Sequence, residues 1–445
     1  MDSSQDYGGP NSYEAQINRN SRKLTSIRNS MSFRLGNLIV RSILRPWMIF
    51  LLPFNLIILI WSYGRERLGL RGIKADVPDN LQNDSKRKCV VLFPTNGVGM
   101  GHYSRTYALA LAIRRRRPDV EIVFFTTNYV LHPLYAEGFT AYHLPGRKKF
   151  KNMDATTWNS VCEEMLANVF AIHRPSVFVF DGSYPYRGML NGIKYWSGTQ
   201  KIWVRRSSRK GRGGVPNDSF LEFDKIVIPG DLIEVDMDEV SSLPIPEVVL
   251  TPPLLSISRG DLHKKGQLRR KMGIPVDATT ALVSLGAGEI NEIEDLMDSF
   301  VSGLTSRGVF VILADSMLKP SRKGYEEKMV RMIQNFPIMR YRECFDFAVI
   351  AGGYNSVNEC IMLGLPSVII PNTETSRDDQ ALRGQKAAET GGAILIEKVE
   401  KRIIDFALDR ICDPDVRLEM SHSLSLNFSE DGPESLANSI ILAID

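Results

Sequence analysis

The chain has 445 residues, enough for two to three domains of ordinary size. With 43% hydrophobic and 24% charged residues it is too apolar for a mainly disordered chain and too polar for a polytopic membrane protein. A net charge of +4 does not suggest nucleic acid, and residues 1–45 account for all of it: Arg19, Arg22, Lys23, Arg28, Arg34, Arg41 and Arg45 stand against Asp2, Asp6 and Glu14.

In chain order, residues 1–45 read as a basic, flexible tail. Pro46 to Tyr63 is one uninterrupted apolar run of 18 residues, with Asn55 and Ser62 its only polar side chains. As a single helix it would reach roughly 27 Å, just short of a hydrocarbon core of about 30 Å. Trp47 at one end and Trp61 with Tyr63 at the other sit where interfacial aromatics belong, and Arg41, Arg45, Arg65 and Arg67 flank them. Residues 46–63 are therefore expected to form a membrane segment, an N-terminal anchoring helix. A signal peptide fits poorly, because its n-region would be 45 residues long and no A-x-A-like site follows. A buried core helix rarely carries arginines and aromatics at both ends. Whether the run spans the bilayer, lies in one leaflet or turns back at Pro53 is left open, and matched basic residues on the two sides leave its orientation open too.

Residues 64–88 read as a polar tether. Short apolar strands alternating with helical segments then begin: Cys89–Phe93, Val120–Thr126, Ser176–Phe180 ending in Asp181, Lys201–Val204 and Lys225–Ile228. A Pro-rich stretch with Pro244, Pro246, Pro252 and Pro253 marks a hinge. The pattern restarts with Ala281–Ser284, Val309–Leu313, Phe347–Ile350 and Ser367–Ile370. The fold class this implies is α/β: two doubly wound Rossmann-like domains, 89–250 and 251–445, facing a cleft where the carboxyl ends of their strands meet.

Two constellations border that cleft. The first, Asn96-Gly-Val-Gly-Met-Gly-His102-Tyr-Ser-Arg105, follows a strand and opens a helix. Glycines there let the backbone approach a ligand, and free amides at a helix start favour an anion or a polarised oxygen. A neutral imidazole at that mouth can take a proton from an attacking hydroxyl, which makes His102 the candidate base. The same residues also suit a plain βα turn with a capping histidine. Gly99, Gly101, Arg105 and Asp181 are assigned to the acceptor side. The G-x-G-x-G-H order is not the dinucleotide fingerprint, and no acid ends the second strand, which disfavours a dehydrogenase.

The second constellation is Ala351-Gly-Gly-Tyr-Asn-Ser-Val-Asn-Glu359, again after a strand. Gly352 and Gly353 form the turn, Asn355 and Ser356 open a helix whose amides and hydroxyl suit a diphosphate, and Glu359 suits the two hydroxyls of a ribose. Asp378, Asp379 and Gln380 follow the next strand; an Asp-Gln pair offers acceptors and an amide donor for sugar hydroxyls, although these residues also suit helix caps.

The stretch GGYNSVNECIMLGLPSVIIPN…DDQALRGQKAAETGGAILIE (352–397) resembles the nucleotide-sugar half of the GT-B glycosyltransferases, above all family 28, which includes the N-acetylglucosaminyltransferase acting on lipid-linked peptidoglycan precursor. Ser284 to Gly288 resembles that family's loop bordering the diphosphate, which adds Gly286 and Gly288, and 96–105 resembles its N-terminal glycine-rich loop. The resemblance covers 89–127 and 281–397. It implies Glu359 on the ribose, Gly353 and Ser356 near the diphosphate, Asp379 and Gln380 on the donor sugar, and His102 as base. Arg105 stands where the peptidoglycan enzyme has proline. The G-x-G-H-x-x-R form is also similar to the nucleotide-sugar hydrolase of pseudaminic acid synthesis, which activates water with the corresponding histidine.

The expected activity is inverting, metal-independent transfer from a UDP-sugar to a lipid-linked or membrane-proximal acceptor in cell-envelope polysaccharide synthesis, with the catalytic domains on the cytoplasmic face. The alternatives are such a hydrolase or a non-catalytic membrane-tethered scaffold. No cofactor beyond the donor substrate, no nucleic acid and no metal are expected. Cys89, Cys162, Cys344, Cys360 and Cys412 form no C-x-x-C pair, and Asp236-Met-Asp238 reads as a loop rather than a manganese motif. The basic clusters Arg114–Arg117, Arg147–Lys151 and Arg205–Arg212 read either as solvated surface or as a face toward anionic headgroups.

Overall fold

The computed structural model describes residues 27, 28, 30–67, 87–95, 99–206, 216–241, 243, 247–286, 293–318, 328–372, 378–424 and 432–444. Gly288, most of the expected tail and most of the tether lie outside these residues.

The run 46–63 is not one helix. Helix α1 (Met31–Leu44) ends at Arg45, a 3-10 turn covers Pro46–Ile49, and helix α2 (Leu52–Arg67) begins afresh. Two prolines explain the break. Pro46 opens the 3-10 turn, and Pro53 sits in the first turn of α2, where a missing amide costs nothing, so it starts a helix instead of kinking one. Among the described residues no helix is long and apolar enough to cross a membrane, so the anchoring helix expected for 46–63 is not present as one continuous span.

The first domain is a seven-stranded parallel sheet in the order β3-β2-β1-β4-β5-β6-β7. Its strands are β1 (Arg87–Pro94), β2 (Glu121–Thr126), β3 (Thr140–His143), β4 (Pro175–Asp181), β5 (Gln200–Val204), β6 (Lys225–Pro229) and β7 (Val248–Thr251). Helix α3 (Gly101–Arg116) follows β1, and α4 (Ala155–His173) precedes β4. The apolar run Cys89–Phe93 is explained by burial on both faces. Cys89, Val91 and Phe93 pack with Trp158 and Phe170 of α4, whereas Val90 and Leu92 pack with Tyr103 and Tyr107 of α3.

The second domain is a six-stranded parallel sheet, β10-β9-β8-β11-β12-β13, built from β8 (Thr280–Ser284), β9 (Phe310–Ala314), β10 (Val330–Ile333), β11 (Phe347–Ala351), β12 (Ser367–Ile370) and β13 (Ala393–Leu395). Helices α5 (Tyr354–Met362) and α6 (Gln380–Glu389) follow β11 and β12. The last helix, α7 (Gly432–Ile444), does not stay with this domain. Its Leu436, Ala437 and Ile440 are buried in the first domain's core beside α3, so the chain crosses the junction twice.

Strand order reverses between β1 and β4 in one sheet and between β8 and β11 in the other. Crevices at the carboxyl ends of such pairs are where doubly wound sheets bind ligands. Both glycine-rich turns of the sequence lie there.

Candidate active site

At the first switch point the end of β4 delivers Asp181 and the start of α3 delivers His102 and Arg105, one turn apart on the same helix face. Asp181 is 0% exposed. Its Oδ1 lies 2.7 Å from His102 Nδ1, and Arg105 grips the same carboxylate in two places, Nε to Oδ2 at 2.9 Å and Nη2 to Oδ1 at 2.6 Å. A carboxylate only accepts, so this contact places a proton on Nδ1 and leaves Nε2 with its lone pair. Arg105 Nη2, which gives one of its two hydrogens to Asp181 Oδ1, also lies 2.8 Å from Nδ1; the shorter contact of Nδ1 to the carboxylate sets the tautomer.

The electrostatics agree. Burial pushes His102 below the usual imidazole range against the pull of Asp181, and Arg105 and Arg206 push the same way. Burial resists ionisation of Asp181, yet Arg105 and His102 together hold it below the ordinary carboxylate range. The pair is thus a neutral imidazole oriented by a fixed carboxylate, an arrangement that can accept a proton near neutral pH. His102 is 17% exposed, enough for a substrate to reach it. The structure brings together His102, Asp181 and Arg105, three of the residues singled out in the sequence, with Gly99 and Gly101 leading into the same helix.

At the second switch point the helix start is α5. Gly353 occupies its N-cap position with no side-chain cap, so the first amides of α5 stay open. Gly352 is where the loop must be glycine: a Cβ there would stand 2.9 Å from the backbone oxygen of Gln380. That close approach seats the α6 start against the α5 turn. Gln380 Oε1 accepts from the Asn372 amide at 3.0 Å, and Asp379 caps α6 by accepting from the Leu382 amide at 3.1 Å. The cap reading of Asp379 is therefore realised. Gly286, with φ of +90°, takes a backbone conformation that favours glycine after β8. Ser356 is partly buried in the first turn of α5, and Asn355 Oδ1 is buried without a hydrogen-bond partner among the described residues.

Glu359 lies in the second turn of α5 and is buried. It is 7% exposed, accepts from Ser256 Oγ at 2.9 Å, and burial raises its carboxyl to about 7, partly offset by Ser256.

Between the two constellations lies a charge network that sequence reasoning missed. Arg383 of α6 is 0% exposed, holds Asp231 through Nε and Nη2 at 2.7–3.0 Å and donates to Asp378 at 2.8 Å. Arg206, just after β5, reaches across to Asp378 at 3.1 Å. The Tyr354 ring, first residue of α5, carries the guanidinium carbons of Arg105, Arg206 and Arg383 at 5.3, 5.6 and 5.9 Å, and its hydroxyl donates to Gly230 O at 2.8 Å. Arg105 thereby touches both the His102–Asp181 pair and the start of the donor helix.

The basic clusters divide: Arg147, Lys148, Lys149 and Lys151 are exposed, as the solvated-surface reading has them, and of the third cluster only Arg205 and Arg206 are described. Arg206 is a cleft residue, only 20% exposed. Arg114 is held by Glu137, Arg115 and Arg116 by Glu434 of α7, and Arg117 by Asp119, so the first cluster is paired in place and ties α7 to α3. Asp236 accepts from the Asp238 amide at 3.0 Å beside a short helix. Among the described residues the one group able to gather around a metal is Cys89, Glu121 and His173, at the opposite end of the first sheet. Both ring nitrogens of His173 are already engaged there, with Glu121 at 2.8 Å and the Tyr142 hydroxyl at 2.9 Å.

Two facing parallel-sheet domains with paired glycine turns define the glycosyltransferase fold called GT-B, and solved structures agree. The kitacinnamycin glycosyltransferase aligns with a TM-score of 0.56 at 15% identity, covering 80% of this chain and 99% of that one. The calicheamicin glycosyltransferase CalG4 aligns at 0.54 and 16%, covering 81% and 99%, and Acinetobacter baumannii MurG at 0.50 and 12%, covering 80% and 100%. Residues 333–436 match the glycosyltransferase family 28 C-terminal domain. A UDP-N-acetylglucosamine–N-acetylmuramyl-(pentapeptide) pyrophosphoryl-undecaprenol N-acetylglucosamine transferase of Parabacteroides distasonis is 21% identical over 401 residues, 81% of this chain and 99% of the relative. Its namesake in Acetivibrio thermocellus is 23% identical over 320 residues, 68% and 83% of the two chains. The chain is a nucleotide-sugar glycosyltransferase with a family 28 C-terminal domain.

Proposed function

We propose that the protein moves a sugar from a UDP-sugar to a lipid-linked or membrane-proximal acceptor, with inversion and without a metal. The acceptor hydroxyl gives its proton to His102 Nε2 and attacks the anomeric carbon from the face opposite the leaving diphosphate. Asp181 holds the imidazole in the reactive tautomer and stabilises the imidazolium that forms. The open amides at the start of α5, with Gly286 and Ser356 beside them, take up charge on the departing diphosphate, which is the role a metal would otherwise fill. Glu359 turns from Ser256 to the ribose hydroxyls, and Asp379 and Gln380 face the donor sugar. A lipid-linked acceptor is supported by the names of the relatives and by the apolar helices before the catalytic domains.

The observation that carries this reading is the His102–Asp181 contact at 2.7 Å beside the donor helix. The test is His102→Ala. Turnover should fall by roughly 10²–10⁴ while UDP affinity, measured by calorimetry, stays within about twofold. Near-full turnover would remove His102 as base. Rapid release of free sugar without an acceptor would make water the acceptor and the enzyme a hydrolase.

A further inference from the structure

The two N-terminal helices are built inside out. Partly or fully buried positions in α1 are Met31, Arg34, Leu35, Leu38 and Ser42, and in α2 Leu52, Asn55, Leu56, Leu59 and then Ser62, Tyr63, Gly64 and Arg65. Each set recurs every three or four residues, in α2 as far as Ser62, the stripe by which two helices joined by a short turn pack side by side. The only polar side chains of the apolar run, Asn55 and Ser62, both fall on this inner stripe. The outside of the pair is apolar: Val40, Ile43 and Leu44 from α1, Trp47 and Phe50 from the turn, and Phe54, Ile57 and Trp61 from α2 are all at least 45% exposed, Phe50 at 87%. An exposed apolar surface of this extent marks an interaction site.

Length and charge name the occupant. Between the turn and Gly64 the apolar part of α2 runs from Leu52 to Tyr63, about 18 Å at 1.5 Å per residue, which fits one leaflet and falls well short of a hydrocarbon core of about 30 Å. Arg34, Arg41 and Arg45 recur at i, i+7 and i+11, so one cationic line runs the length of α1 up to the turn. A hairpin pointed tip-first into lipid would bury Arg41 and Arg45 with the turn; one lying along the surface keeps all three among headgroups while its other sides meet acyl chains.

We propose that residues 31–63 form a helical hairpin embedded in one leaflet of an anionic phospholipid bilayer, with the start of α1 and the catalytic domains on the same side of the membrane. The inference deepens the membrane attachment proposed above and does not depend on the donor or the base. A single-leaflet anchor also keeps the cleft next to the surface from which a lipid-borne acceptor is presented.

The test uses the full chain. Arg28→Cys and Asp277→Cys variants, with the unsubstituted chain as blank, are probed with a membrane-impermeant maleimide in sealed vesicles of known orientation from expressing cells. Both sites should label from the same face; labelling from opposite faces would mean a single spanning pass and would overturn the proposal. Purified protein should float with phosphatidylcholine vesicles containing phosphatidylglycerol. The Arg34→Gln/Arg41→Gln pair should weaken that partitioning by about 30-fold, at an unchanged melting temperature of the catalytic domains. Equal flotation of this variant and the parent, or no flotation of the parent, would also overturn it. Turnover of a UDP-sugar onto a soluble acceptor is read separately, so the anchor and the catalytic reading fail independently.

Discussion

The two switch points of the molecule are finished to different degrees. At the first, His102, Asp181 and Arg105 already hold one another through side-chain contacts of 2.6–2.9 Å in a buried setting. At the second, the groups proposed for the donor are backbone amides, a side-chain oxygen of Asn355 with no partner among the described residues, and a Glu359 occupied by Ser256. The difference follows from what each must do. A base works only in one tautomer and one orientation, which must exist before the substrate arrives, whereas a cradle for a diphosphate and ribose can leave its polar groups to be completed by the ligand.

The largest expected effect comes from removing the carboxylate that fixes the first site. Asp181→Asn should leave Arg105 buried beside an uncharged amide and destabilise the fold by about 3–5 kcal/mol. It should also cost turnover beyond that loss, because the amide no longer fixes the tautomer of His102. Chemical denaturation and kcat at a temperature where the variant stays folded check the two parts. A variant with normal kcat would mean that His102 orients itself without Asp181.

Next comes a pair of glycines that separates packing from ligand approach. Gly352→Ala drives a Cβ to 2.9 Å from a backbone oxygen that cannot yield, so about 1–3 kcal/mol of stability should be lost together with donor affinity. Gly353→Ala has open space around its Cβ. Its stability should be nearly unchanged, and any rise in donor KM there reports a clash with the donor itself. If both variants lose stability equally, the donor loop is held by more than the contact with Gln380.

How much of this was legible beforehand can be judged from particular residues. The nine inner strands of the two sheets were, because runs such as Cys89–Phe93 and Phe347–Ile350 are buried on both faces; the four edge strands β3, β7, β10 and β13, of three or four residues each, were not. The placement of His102, Gly352 and Gly353 at the two helix starts was legible, because glycines between a strand and a helix mark a tight turn. Arg206, Asp231 and Arg383 were not: 25 residues separate the first two and 152 the last two, and nothing local distinguishes an arginine that crosses a cleft from one that faces water. The resting place of Glu359 on Ser256, 103 residues away, was hidden for the same reason. For the run 46–63 spanning and turning back both stayed open, because hydropathy averages over a window, whereas Pro46 and Pro53 act one residue at a time on the backbone.

The pH responses of the two sites should diverge. His102 is pushed below the usual imidazole range, so kcat should hold to pH values below 6.5 before its acid limb falls away, and His102→Ala should lose that limb. Glu359 shifts the other way, from 4.5 to about 7. With its folded value above the unfolded one, its protonated form stabilises the fold fully below about 4.5, and that contribution, about 3 kcal/mol at most, is lost as pH rises through about 7. Glu359→Gln should therefore gain stability relative to the parent as pH rises across that window, read as a growing difference in Tm. Donor KM of the parent should fall over the same range, because the ribose hydroxyls donate to a carboxylate, and the Gln variant should show no such fall.

The smallest effect tests the contact between the two regions. Arg206 and Asp378 join the first domain to the donor-side loop at 3.1 Å, but Asp378 keeps Arg383 as a second partner, so Arg206→Ala removes a cation without stranding the acid. Burial holds Arg206 below the usual guanidinium range despite Asp378, which means that little net attraction is at stake and that its loss should cost stability no more than about 1 kcal/mol. The same substitution takes away one of the cations that depress His102, so the acid limb of kcat should move toward higher pH while KM for donor changes little. A limb displaced by Arg206→Ala but not by Arg206→Lys would tie the base to a charge delivered from β5, whereas an unmoved limb would leave burial and Arg105 as the groups that keep His102 neutral.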